Sequence, residues 1–136
     1  MKKYGFIILS LTILLFLNSY QKTEAQKDAR LIPFEVLKKW QIPPGGIGMI
    51  ILVSEKTTKG EVMELAVRLR EQHLDKCKKG KGGIWIDIFD SKEAWLNRDN
   101  PKYPDAKFDR SWLVNICVNP NTGFDKIEWT AIGRKR

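Results

Sequence analysis

Hydrophobic and polar residues follow three rhythms in turn between Met49 and Phe89. Met49-Ile-Ile-Leu-Val53 is an unbroken apolar run, bounded by Pro43-Pro-Gly-Gly46 and Ser54-Glu-Lys56. A short β-branched run between turn residues predicts a strand covered on both faces. Thr58 and Glu61 then have the spacing of a capping box, in which each side chain satisfies a free backbone N–H at a helix start. Val62, Leu65, Ala66 and Leu69 follow at i, i+3, i+4 and i+7, the pattern of one buried stripe. Glu64, Arg68, Glu71 and Asp75 fall on the opposite side, with Glu64 and Arg68 a favourably ordered i, i+4 pair. Gly80-Lys-Gly-Gly83 ends the helix. In Ile84-Trp-Ile-Asp-Ile-Phe89 the isoleucines point one way, and Trp85, Asp87 and Phe89 the other. Strand, crossover helix and strand make a parallel βαβ unit.

The flanking stretches are less regular. In the segment 26–48, Phe34, Leu37 and Trp40 recur every three residues behind Pro33. That spacing predicts a short helix over Pro33–Trp40, followed by a Pro/Gly linker into the first strand. The linker precedes a strand and lacks the phosphate-loop pattern, so it is not a phosphate cradle. Ser91 caps one or two helical turns through Trp95. Asn97 to Asp109 has no period and reads as a long loop, a feature that is often functional; equally, Tyr103 and Phe108 would serve to pin it to the core. Ser111–Val118 and Phe124–Ile132 alternate as strands around the turn Asn119-Pro-Asn-Thr-Gly123. Alternation assigns Trp112, Val114, Ile116 and Val118 to one face and Leu113, Asn115 and Cys117 to the other. Residues 49–136 are therefore expected to form one α+β domain, a two-layer sandwich. It has the βαβ unit followed by a β-hairpin, giving a four-stranded mixed sheet with one main helix packed on one face.

The start of the chain adds a destination. Lys2 and Lys3 precede a dozen uncharged residues, Phe6 to Leu17, and a polar stretch ending in Thr23-Glu-Ala25. This is the layout of a secretory signal peptide over residues 1–25. The apolar run is shorter than the ~18–20 residues that span a bilayer, so cleavage after Ala25 is expected and a retained anchor is the alternative. The protein is then exported, periplasmic or secreted. Losing Lys2, Lys3, Lys22 and Glu24 lowers the net charge of +8 by two, to about +6. A positive balance favours acidic partners, here an acidic protein or an anionic polymer of the envelope, with nucleic acid harder to meet outside the cell.

Candidate chemistry is sparse. His73, the only histidine, falls on the buried stripe; with Cys77 it makes an i, i+4 pair, too few ligands for a metal. No cofactor motif is present. Asp87 and Glu128 are the one carboxylate pair that would suit acid–base hydrolysis. Cys77 and Cys117 are the only cysteines; an oxidising compartment suggests a bridge, whereas placement on opposite sides of the sheet leaves two separate thiols. Lys76, Lys78, Lys79 and Lys81 gather at the helix's C-terminal end, where they complement the helix dipole or form an anion-binding patch. The uncovered sheet face is expected to carry Trp85, Asp87, Phe89, Leu113, Asn115, Lys126, Glu128 and Thr130. Such a mixture suits either a binding surface or a face half covered by the Phe34–Trp40 segment. The expected function is a small exported non-catalytic domain. It binds a protein or an anionic envelope partner through that face and the 97–109 loop, with Trp95 and Tyr103 contributing. A small hydrolase using Asp87 and Glu128, or a structural envelope component, are the alternatives.

Overall fold

The computed structural model describes residues 32–77 and 81–132, without the side chain of Lys76. Residues 1–25, where a signal peptide is expected, and the basic end at 133–136 lie outside the described residues. Five strands form one mixed sheet: β1 (Phe34–Ile42), β2 (Gly46–Val53), β3 (Ile84–Phe89), β4 (Trp112–Asn119) and β5 (Phe124–Trp129), side by side in chain order. β2 and β3 run parallel, and the other neighbours antiparallel. The helices are α1 (Lys59–His73), which runs into a 3-10 turn at Leu74–Lys76, α2 (Lys92–Leu96) and α3 (Asp105–Ser111). The class is α+β.

α1 begins where the capping box places it. The Thr58 N–H donates to Glu61 Oε2 at 2.8 Å, and the Glu61 N–H donates to Thr58 Oγ1 at 3.3 Å. Val62, Leu65, Ala66 and Leu69 are buried. They face the side of the sheet formed by Ile84, Ile86 and Ile88 on β3 and Val114, Ile116 and Val118 on β4. Burying each Val or Leu contributes roughly 1.5–3 kcal/mol, so packing rather than the cap, worth about 1 kcal/mol, holds the helix down. Two contacts from β5 fix its position. The Arg70 guanidinium grips the Asp125 carboxylate through both oxygens, with Nε to Oδ1 at 2.7 Å and Nη2 on Oδ2. Lys59 Nζ lies 5.0 Å over the Trp129 ring.

The sheet departs from expectation at two places. Pro33–Trp40 is not a helix. Phe34–Ile42 is strand β1, which pairs with β2 through a turn at Pro43–Gly45 and raises the sheet from four strands to five. Its register slips between Val36 and Lys38, leaving Leu37 as an extra residue. A bulge interrupts the alternation of side chains, and that interruption is what gave Phe34, Leu37 and Trp40 a helix-like spacing. The second slip lies between β3 and β4. Ile88 pairs with Val114 but Phe89 pairs with Trp112, so Leu113 is the inserted residue. Trp112 therefore sits on the face with Phe89 and Asp87, and Leu113 is buried; alternation alone had exchanged the two.

Candidate binding face

On the side away from α1, strand register lines residues up in rows across the sheet. One row runs Trp40, Gly48, Trp85, Cys117, Lys126; the next runs Lys38, Ile50, Asp87, Asn115, Glu128. Asp87 is the organising residue. A carboxylate in the middle of an isoleucine-rich strand is costly unless hydrogen-bond donors surround it, and three do. Oδ1 accepts from Trp112 Nε1 at 2.9 Å and from Asn115 Nδ2 at 2.8 Å, and Oδ2 accepts from Trp85 Nε1 at 2.9 Å. Both indoles are thereby fixed by their polar ends, while the Trp85 ring remains 44% exposed.

Trp40 reaches the same face by a different route. Its indole occupies the space where a side chain at position 48 would stand, since a Cβ on Gly48 would come within 1.9 Å of the ring. Glycine at 48 is what allows an aromatic plate to lie on the sheet directly beside the Trp85 column. At the β1–β2 hairpin an open cleft of about 530 Å³ is lined among the described residues by Lys39, Trp40, Gln41, Gly45, Gly46 and Ile47. Lys39, Gln41 and Ile47 fall in the rows of Met49 and Ile84, on the α1 side of the sheet, so the cleft is separate from the Trp85 face.

The expected site residues are only partly brought together. Trp85, Asp87, Lys126 and Glu128 share the face. Phe89 lies on that side but is only 3% exposed, because α3 covers it: the Phe108 ring meets it edge-on at 5.8 Å and itself lies tilted, 6.0 Å from the Trp112 ring. The stretch 97–109, expected as one long loop, instead turns helical at its end and supplies most of α3 (Asp105–Ser111), which walls off one end of the face. Trp95 and Tyr103 belong to the α2–α3 segment, both half-buried, with the Arg98 guanidinium 5.1 Å over the Trp95 ring. Burial and the Glu93 carboxylate hold the Tyr103 phenol above its ordinary pKa. Lys78 and Lys79 lie outside the described residues, as does the Lys76 side chain; Lys81 is exposed.

The geometry also constrains chemistry. Asp87 and Glu128 stand two strands apart with Asn115 between them, roughly 10 Å by strand spacing. Each is engaged elsewhere, Asp87 with its three donors and Glu128 with Lys126 Nζ at 2.9 Å. Cys77 and Cys117 are free thiols. Cys77 follows α1 and lies with its sulfur 4.0 Å from the Val118 carbonyl, whereas Cys117 points to the face that carries Asp87. With the sheet between them no bridge forms, and burial pushes both thiols up. Among the described residues no three His, Cys, Asp or Glu side chains group to hold a metal ion, and no helix is long and apolar enough to cross a membrane. No protein-family model matches the chain, and neither a curated protein nor a solved structure is similar to it.

Two residues of the face, Trp40 and Trp112, were not legible as such. Trp112 had one available signal: a half-buried indole N–H needs an acceptor, and Asp87 is the acidic residue that strand pairing offers it. For Trp40 the signal was Gly48, a residue that weakens a strand unless something must approach its backbone closely.

Proposed function

We propose that the protein is an exported, non-catalytic binding domain whose contact surface is the sheet face bearing Trp85, Trp40 and the Asp87 cluster. The observation that carries this is the exposed Trp85 ring, locked by its N–H onto Asp87 in mid-sheet. A large aromatic surface that is already ordered loses little conformational entropy on binding, which is why fixed tryptophans dominate contact energies. Export rests on the signal-like residues 1–25, and removal of that segment would leave the domain free of the apolar run. The α2–α3 segment forms the wall at one end of the surface.

Hydrolysis by Asp87 and Glu128 fits less well. A general acid or base needs an oxygen directed at substrate, and here both oxygens of Asp87 accept hydrogen bonds from the protein itself. The test is capture of partners from the envelope fraction by wild-type protein and by Trp85→Ala. The variant is expected to lose the captured material while keeping its fold. Unchanged capture by a folded Trp85→Ala protein would remove this surface from consideration.

A further inference from the structure

Resting on that contact surface, we infer that its ligand is a neutral polysaccharide, taken by stacking pyranose rings on the Trp40 and Trp85 indoles. Three observations select this chemistry over the other partners a positively charged exported protein would meet.

The first is charge. The net charge of +8 belongs to the whole chain, but the face is balanced: Lys38 and Lys126 stand against Asp87 and Glu128 in adjoining rows. Lys126 and Glu128 are paired at 2.9 Å. At the near edge Lys92 and Glu35 approach to 4.0 Å. An anionic polymer needs uncompensated positive charge along its track, and none runs through this face.

The second is the texture of the surface around the aromatic plates. The core of a protein–protein contact is depleted in charge, whereas here Lys126, Glu128, Asp87 and Asn115 lie within one or two strand positions of Trp85. A sugar ring presents both kinds of surface: C–H groups on its faces, which pack on an indole, and hydroxyls on its rim, which both donate and accept hydrogen bonds. The Lys126 ammonium, the second Glu128 oxygen and the Asn115 amide oxygen keep hydrogen-bonding capacity beyond their contacts within the protein and supply the rim, whereas Asp87 is engaged by Trp112, Asn115 and Trp85.

The third is shape. Because Gly48 has no side chain, the Trp40 ring lies down in its place, and the next side chain in the row is Trp85. The result is a pair of indoles in one row, Trp85 44% exposed and Trp40 half-buried with Lys38 Nζ 5.8 Å over its ring.

The test is electrophoresis of the protein, purified from cells expressing the full chain, through native gels containing hydroxyethylcellulose, galactomannan or alginate. Retardation by a neutral polymer is expected and should persist in high salt. Trp85→Ala and Trp40→Ala should each weaken it about tenfold or more, the worth of one aromatic stacking contact. If a variant does not fold, wild-type tryptophan emission decides, since stacking on the indoles alters it as the same polymer is titrated in. Retardation by alginate alone, abolished by salt, would overturn the inference, as would no retardation by any of the three. Should no polymer bind while Trp85→Ala still loses its envelope partners, the contact surface stands and the glycan assignment falls. Should Trp85→Ala retain them, the surface itself fails.

Discussion

Asp87 offers the sharpest test of how the face is built, because two substitutions there should differ by a calculable margin. Replacing it with asparagine keeps the shape. The amide oxygen can turn toward Trp112 Nε1 and Asn115 Nδ2, the two part-buried donors, leaving its NH2 toward Trp85. The Trp85 N–H, at an exposed site, then turns to water at little cost. What is lost is the charge on the acceptor. A bond to a charged group contributes about 1.5–3 kcal/mol against about 0.5–1.5 for a neutral one. Two such bonds would place Asp87→Asn at about 2–3 kcal/mol if fully buried, and at about 1–2 kcal/mol of destabilisation on this face, which water reaches. Asp87→Ala removes the acceptor altogether. The Trp112 and Asn115 donors are then stranded at about 1–3 kcal/mol each, with the lower end apt because water reaches this face; the total is about 2–4 kcal/mol.

Urea denaturation followed by tryptophan fluorescence reads both variants, with an unchanged slope showing that stability alone has moved. For a domain of this size each kcal/mol shifts the melting midpoint by about 4–8 °C. An alanine variant as stable as wild type, or an asparagine variant as damaged as the alanine one, would refute the three-donor account. Because Asp87 also fixes the Trp85 ring, both variants should bind envelope partners more weakly than their stability loss alone explains.

Gly48→Ala should displace the Trp40 indole, since the new Cβ would meet the ring within 1.9 Å. About 1–3 kcal/mol of destabilisation and a shifted tryptophan emission are expected, and an unaltered spectrum would show that the indole does not occupy the space beside Gly48. The Arg70 guanidinium holds the Asp125 carboxyl below its ordinary value of 3.8. That stability is therefore present above pH 3.8 and is lost as pH falls further, through the folded value. Both groups being partly exposed, the loss is no more than about 1 kcal/mol; acid titration of the melting midpoint should show it in wild type and not in Arg70→Ala. Without reductant, intact-mass analysis after denaturation in a maleimide reagent should find both Cys77 and Cys117 labelled, whereas a protected pair would mean that they meet across the sheet.

Most of the α1 side of the fold was legible because its signals agree with one another. The capping box at Thr58, the 3.6-residue stripe from Val62 to Leu69 and the period-2 isoleucines of β3 point to the same packed layer, and the strand–helix–strand order makes β2 and β3 parallel. Consistency across such levels is what makes a segment readable. The opposite face was read less well, for a physical reason. Pattern arguments assume an unbroken period, and both strands that bring missing tryptophans to this face carry a bulge, at Leu37 in β1 and at Leu113 in β4. One inserted residue sends every later side chain to the other side, so Trp40 looked helical and Trp112 looked like core. A residue's alternation says nothing about long-range insertions, which only the partner strand reveals.

The bulges are also what make the face chemically particular. Without the slip at Leu113, Trp112 would point into the α1 layer, and Asp87 would lose one of the two donors on Oδ1. Without the slip at Leu37, Phe34 and Val36 would share a side with Trp40 rather than lying on the α1 side of the sheet. Their place at the upper edge of the face is instead taken by Glu35, within reach of Lys92. Bulges re-aim side chains where a regular sheet would bury or expose the wrong ones. Here the slip at Leu113 brings the Trp112 indole to the side away from the helix, and the slip at Leu37 lets Phe34 and Val36 lie on the α1 side while Trp40 lies on the other. The same interruptions that hid the surface from a periodic reading of the chain are therefore the devices that assemble it around Asp87.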